Sequence, residues 1–288
     1  MPNPPTVAWT SSPPASSELA GWKPALHADY HMHTPLCRHA GGTAEEYVAR
    51  AKELGLTEIG FSDHSPMPAY FDNWRMLAEE LPQYFEWIAK ARTAAGDMPV
   101  RMALEVDWID GGESWIESLT AQAPWDYLIG SVHYIGAWNF DNPAEKQRFT
   151  DFGAEEAWDR YWQLFASAAR SGYFDIMGHP DLIKKFGHRP AGDLRRYYEP
   201  AIAAVAEAGI AIEINTAGRF KDVQEMYPAA DFLTLARAAG IPLTINSDAH
   251  APGEVGRAFP DAIALAKAAG YSELVRFAGR TKRAVPLA

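Results

Sequence analysis

The sequence predicts an α/β protein whose parallel sheet closes into a barrel. Three observations carry this. From residue 25, short apolar or β-branched runs alternate with amphipathic helical stretches seven times over. No run carries the marks of an edge strand. And His31-Met32-His33-Thr34 follows the first run where a doubly wound nucleotide-binding sheet, the second choice, would place a Gly-rich turn. A length of 288 residues suits one such barrel.

The strand-like runs are 25–33, 57–64, 100–107, 127–134, 174–179, 210–216 and 242–250. Between them lie helical stretches near 43–54, 78–95, 113–121, 153–171, 193–207 and 229–239, with a last one near 260–269. Thr43 followed by Ala44-Glu45-Glu46 reads as a capping box. Gly55, Gly96, Gly172, Gly209 and Gly240 stand where helices should stop. Residues 1–24 hold six prolines and four serines and read as an irregular arm, with Trp9 and Trp22 available to pin it. Residues 25–288 read as a single barrel domain.

Composition excludes several function classes. Hydrophobic residues at 48% and charged residues at 22% are ordinary for a globular chain. A net charge of −11 is wrong for non-specific nucleic-acid binding, which needs a basic surface. No apolar run reaches the roughly 18 residues of a membrane helix. The single cysteine, Cys37, excludes an intramolecular disulfide and makes a reducing cytoplasm the simplest setting. A buried thiol is its simplest reading.

The polar residues are unevenly placed. Of nine histidines, His31, His33, His64, His133, His179 and His250 fall at or just past the ends of strand-like runs. His39 lies in the loop after the first run, and Glu105, Asp107 and Asp248 also sit at strand ends. In a parallel barrel these ends meet at one rim, the C-terminal face where active sites of this architecture lie. His31-x-His33 and Asp248-x-His250 put pairs of side chains on one face of a strand. Imidazoles and carboxylates gathered so densely would repel or go unsatisfied without cations. Without thiolate, such ligands suit zinc, iron or manganese, and their number suits two or three ions. Clusters of this kind activate water and clamp oxyanions, the requirements of phosphoester hydrolysis. His27 and His188 read as structural.

In chain order His31-x-His33, Ser62-Asp63-His64, Leu104–Asp107, Ser131-Val132-His133, Gly178-His179, Glu213–Thr216 and Ser247–His250 resemble the motifs of the PHP (polymerase and histidinol phosphatase) superfamily. Residues 29–40 (DYHMHTPLCRHA), Trp108, Lys184-Lys185-Phe186, and residues 215–218 (NTAG) with Met226-Tyr227-Pro228 resemble its histidinol-phosphatase branch. The resemblance covers roughly residues 25–280. It implies a distorted (β/α)7 TIM-like barrel with three divalent metal ions, zinc, iron or manganese. By that resemblance His31, His33, Glu105 and Asp248 hold one ion. Glu105 bridges to a second held by His133 and His179. His39, His64 and His250 hold the third.

The resemblance further implies hydrolysis of L-histidinol phosphate to L-histidinol and phosphate. The attacking water loses its proton to the pull of the cations, and Asp248 or His250 passes a proton to the leaving alkoxide. The alternative is a relative acting on another small phosphomonoester or a phosphodiester. Two departures bear on the choice. The branch has an arginine one residue after NTAG, where this chain has Arg219, then Phe220, then Lys221; it also tends to arginine at Lys184. Lys184, Arg219 and Lys221 are therefore the expected substrate contacts. A net negative charge does not oppose an anionic substrate, because the cations dominate the local field. Trp74, Trp108, Trp138 and Tyr134 supply aromatic surface for a pocket or for the core. The expected partner is a small phosphorylated molecule, with no nucleic acid and no membrane; a homo-oligomer is left open.

Overall fold

The seven alternations become seven parallel strands in one sheet. The computed structural model describes residues 27–287, so the arm expected over 1–24, with Trp9 and Trp22, lies outside the described residues. The strands and helices are β1 (Ala28–Asp29), α1 (Ala44–Glu53), β2 (Glu58–His64), α2 (Leu81–Ala95), β3 (Val100–Asp107), α3 (Glu113–Thr120) and β4 (Tyr127–Ser131). There follow β5 (Tyr134–Ile135), β6 (Trp138–Asn139), α4 (Arg148–Phe152), α5 (Ala154–Arg170), β7 (Ile176–Met177), α6 (Arg195–Ala208) and β8 (Ala211–Asn215). The chain ends in α7 (Ala230–Ala238), β9 (Leu243–Asn246), α8 (Phe259–Ala268), β10 (Glu273–Ala278) and β11 (Thr281–Pro286).

The main sheet runs β1-β2-β3-β4-β7-β8-β9. It is nearly closed: Met32 forms a parallel bridge to Ala249. The His33 amide donates to the Ala249 carbonyl at 2.9 Å, and the Ala249 amide to the His31 carbonyl at 3.1 Å. Helices pack outside, as the alternation requires. Local signals act as read: Thr43 and Glu46 form a reciprocal capping box on α1. Gly209 closes α6 at φ 65°, in the left-handed region that favours glycine. No helix of the described residues is long and apolar enough to cross a membrane.

Three expected strands are much shorter than read, among them 242–250, which is regular only at Leu243–Asn246. Among its described residues the run 25–33 is regular only at Ala28–Asp29. Beyond it the chain serves two neighbours in turn, since the Met32 carbonyl accepts from the Ser62 amide while Met32 bridges Ala249. The run 174–179 is regular only at Ile176–Met177. There Gly178 passes so close to β4 that a Cβ would stand 2.5 Å from Ser131 Oγ. The expected strand 127–134 ends at Ser131, and its tail becomes the small β5–β6 hairpin.

The β10–β11 hairpin was not expected. It packs at the start of the barrel strands. Phe277 joins Tyr30, Ala103, Tyr127, Ile129, Ile176 and Ala211 in the barrel interior. Glu58, buried at the start of β2, accepts from Tyr30 Oη at 2.8 Å and Arg101 Nε at 2.6 Å, and lies 3.2 Å from Arg276 Nη1. That end is thus plugged, and the opposite, C-terminal rim is left for a site.

Candidate metal centre

All but one of the cluster residues arrive at the rim by the same local device, at or just past the end of a strand beside the barrel axis; His39 comes from the loop that follows β1. Parallel register sets His64 directly opposite Glu105, and Asp107 opposite Ser131. Two cluster residues, His179 and Asp248, and the nearby Asp181 take unusual backbone. His179, Asp181 and Asp248 have φ of 21°, 64° and 54°, which non-glycine residues rarely adopt. Such strain persists only where surrounding structure imposes it, and it gathers at functional sites.

The structure brings all nine expected ligands together around Glu105. One carboxylate oxygen, Oε1, lies 2.8 Å from His179 Nε2 and 3.6 Å from His133 Nε2. The other, Oε2, lies 3.4 Å from His31 Nε2, 3.7 Å from His33 Nε2 and 3.0 Å from His64 Nδ1. Asp248 Oδ1 stands 3.1 Å from His33 Nε2 and 3.8 Å from His31 Nε2. The rings of His33 and His250 stack at 4.0 Å, and those of His39 and His250 at 4.6 Å. Groups with donor atoms close enough to share one ion include His31-Glu105-His179, His31-His33-Asp248 and His33-His64-His250.

Two features fit a cation. The first is a set of orphaned atoms. His31 Nε2, Glu105 Oε2 and His250 Nε2 are buried and make no hydrogen bond among the described residues. A buried polar atom of this kind demands a partner. The second is the support given to the rings. His31 Nδ1 faces Glu213 at 3.0 Å, His33 Nδ1 faces Asp63 at 3.3 Å and His133 Nδ1 faces Asp107 at 2.7 Å. His39 Nδ1 faces the Cys37 carbonyl at 2.8 Å, and His250 Nδ1 the Asp248 carbonyl at 3.0 Å. An acceptor at Nδ1 fixes the proton there and points the Nε2 lone pair inward, as in metal-ligating histidines.

Electrostatics agrees. Burial opposes charge on Glu105, but His31, His64 and His133 hold its carboxyl well below the usual range. Asp248 is likewise held low against burial, by His31, His33 and His250. Burial and the neighbouring His33 and His39 hold His250 neutral, and burial with His64 and His33 pushes His39 down to about 3. Burial opposes charge on His31, His33 and His133 too, yet Glu213, Asp248 and Glu105 raise His31 well above the usual range, Asp248 and Asp63 push His33 up to about 9, and Asp107 and Glu105 push His133 up to about 9. A divalent cation would displace those protons on binding. Burial pushes the Cys37 thiol far up, so it offers no thiolate.

The expected substrate contacts divide. Lys184 is fully buried: its ammonium donates to the Met226 carbonyl at 2.8 Å, 2.9 Å from Asp181 and 3.3 Å from Glu225. These partners occupy its three donors. Arg219 is half exposed and pairs with Asp261 at 3.1 Å. Lys221 is half-buried; burial and the charge of Lys185 lower its ammonium, while Asp248, Asp141 and Glu254 raise it. Sequence reasoning passed over Lys185, whose ammonium meets Asp141 at 2.6 Å. It also passed over the supporting roles of Asp63, Asp107 and Glu213, for which the only signal was their presence within the same motifs. Trp108 and Trp138 are core residues, while Trp74 lies edge-on to His39 at 5.6 Å. His188 stacks on Phe149 at 4.6 Å, a packing role.

The PHP domain family model matches residues 29–217, and a PHP-associated model matches 233–261. The chain belongs to the PHP domain family. Among PHP-type relatives, a probable histidinol-phosphatase of Deinococcus radiodurans is 46% identical over 237 residues, covering 82% of this chain and 90% of that protein. The histidinol-phosphatase of Bacillus subtilis is 28% identical over 257 residues, covering 80% and 96%. A crystal structure of histidinol phosphate phosphatase from Lactococcus lactis, complexed with zinc, L-histidinol and phosphate, superposes with a TM-score of 0.77 at 25% identity. It covers 90% of this chain and 99% of that one. The nearly closed seven-stranded PHP barrel is therefore the fold.

Proposed function

We propose that this PHP-domain protein is a histidinol-phosphatase, a phosphoric monoester hydrolase that splits L-histidinol phosphate into L-histidinol and phosphate. One observation carries the reading: a buried carboxylate, Glu105, shares its two oxygens between two sets of inward-facing imidazoles. The 46% identity to a protein named probable histidinol-phosphatase supports it. We assign three divalent ions, zinc, iron or manganese. His31, His33, Glu105 and Asp248 would hold one; Glu105, His133 and His179 a second; His39, His64 and His250 the third. When bound, the cations supply an acidified water and positive charge for the phosphoryl oxygens.

The chain's own residues supply the rest. Glu105 keeps the two halves of the cluster in register. Lys221 and Lys185 place positive charge beside Asp248 and Asp141, where the phosphate of a substrate would enter. Lys185 replaces the buried Lys184 in that proposal. Asp248 and His250, with side chains 18% and 25% exposed, are open to the mouth, and either would pass a proton to the leaving alkoxide after taking up the one that the attacking water loses.

The test is phosphate release from L-histidinol phosphate beside a panel of small phosphomonoesters, with enzyme loaded with zinc, manganese or iron. A kcat/KM for histidinol phosphate above about 10⁴ M⁻¹s⁻¹, and well above the panel, is expected. Lys221→Ala should raise KM by roughly tenfold or more, the weight of a charge-assisted contact. Turnover of a panel member exceeding that of histidinol phosphate would give the substrate assignment to that compound.

A further inference from the structure

One guanidinium joins the metal centre to its own mouth. Residues 65–80 connect β2 to α2, and Arg75 within them is buried. Its Nη1 lies 2.8 Å from Asp107 Oδ2 and donates to the Ser65 carbonyl at 3.2 Å. Its Nε and Nη2 grip the Asp72 carboxylate at 3.0 and 2.7 Å. At one end of this chain of contacts, the second oxygen of Asp107 holds His133 Nδ1 at 2.7 Å. At the other, Asp72 accepts from Tyr134 Oη at 2.5 Å. Tyr134 packs edge-to-face with Phe71 at 5.0 Å, and Phe71 is 43% exposed.

The chemistry of these groups demands the arrangement. Asp107 is a fully buried carboxylate, and burying it without a cation would be prohibitive. A guanidinium reaches these two carboxylates and a carbonyl through nitrogens spread over a planar fork, whereas an ammonium would have to meet all three at one point. The acceptor at His133 Nδ1 orients that ring's Nε2 toward Glu105, 3.6 Å away.

We propose that Arg75 is a positioning residue with two arms: through Asp107 it orients His133 in the metal centre, and through Asp72 it holds the Phe71–Tyr134 wall at the mouth. The proposal rests on the reading of His133 as a metal ligand. It makes the β2–α2 loop part of the active site, although none of its residues belongs to the ligand set.

The experiment separates the arms. Zinc-loaded Arg75→Met, Arg75→Lys, Asp107→Asn and Asp72→Asn are dialysed against a chelator. Ions per chain, kcat and KM for L-histidinol phosphate, and the thermal midpoint are then measured. Asp107→Asn should retain fewer ions and lose about 10–100-fold in kcat with little change in KM. Asp72→Asn should keep its ions and its kcat while KM rises severalfold. Arg75→Met should show both defects, and Arg75→Lys should recover ion retention but not KM. Unchanged ion retention, kcat and KM in Arg75→Met would overturn the proposal. So would equal ion loss in Asp72→Asn and Asp107→Asn with matching falls in thermal midpoint, since the network would then only hold the fold. If Arg75→Met does not fold, the two single-arm variants still decide. Ion retention does not depend on which phosphoester is turned over, so a wrong substrate assignment leaves that arm of the test standing.

Discussion

Glu213 touches no ion in the proposed ligand set, yet it decides how His31 can bind one. Its carboxylate faces His31 Nδ1 and also accepts from the His179 amide at 2.7 Å and Asn246 Nδ2 at 2.7 Å. Glu213→Gln should therefore lower metal affinity or activity by about 10–100-fold without unfolding the chain. Metal content after dialysis and phosphate release check this together. The ligands themselves were legible in the sequence because all but His39 fall at or just past the end of a strand-like run, and strand ends share a rim. Lys184 against Lys185 was not legible. Adjacent residues in one tight turn send side chains opposite ways, one into Asp181 and one toward Asp141. Periodicity does not say which faces the site.

At the scale of elements, the connection from β8 to α7 carries Arg219, Phe220 and Lys221, and buried charges pin it. Lys184 donates to the Met226 carbonyl, the Ala229 amide donates to Asp181 at 2.8 Å, and the Val223 amide donates to the Lys185 carbonyl at 3.0 Å. Lys184 is a loop anchor in this structure. Lys184→Met would leave Asp181 buried without its cation and should destabilise by about 3–5 kcal/mol, read by urea unfolding. An effect on KM should accompany it, because Lys221 rides on the same loop. Seven of the eight helices were legible to within a few residues, since caps and terminal glycines act locally; the short α4 was not expected. β1 and β7 were not, because a two-residue strand is defined by its neighbours rather than by its own pattern.

For the whole molecule, the barrel is closed at one end and open at the other. The β10–β11 hairpin plugs the closed end with Phe277, which is buried against Tyr30 and Tyr127 at ring distances of 6.3 and 5.9 Å. Phe277→Ala should cost about 3–5 kcal/mol of stability, while kcat of the folded protein stays within about twofold. Unfolding curves and phosphate release separate the two effects. The open end concentrates buried charge that only cations can satisfy. Stripping metal with a chelator should lower the thermal midpoint by several degrees, and re-adding zinc or manganese should restore it. A midpoint indifferent to chelator would mean that the cluster stands without cations.

What the sequence by itself determined was the alternation of strand and helix, the rim to which seven histidines and two carboxylates belong, and the family motifs they spell. These follow from local pattern, and parallel topology does the gathering. Tertiary structure alone decided which lysine turns inward, which carboxylates support the rings, how Arg75 spans Asp72 and Asp107, and that a C-terminal hairpin seals the base. Each depends on contacts between residues far apart in the chain, where burial leaves a charge no choice but the partner that packing brings to it.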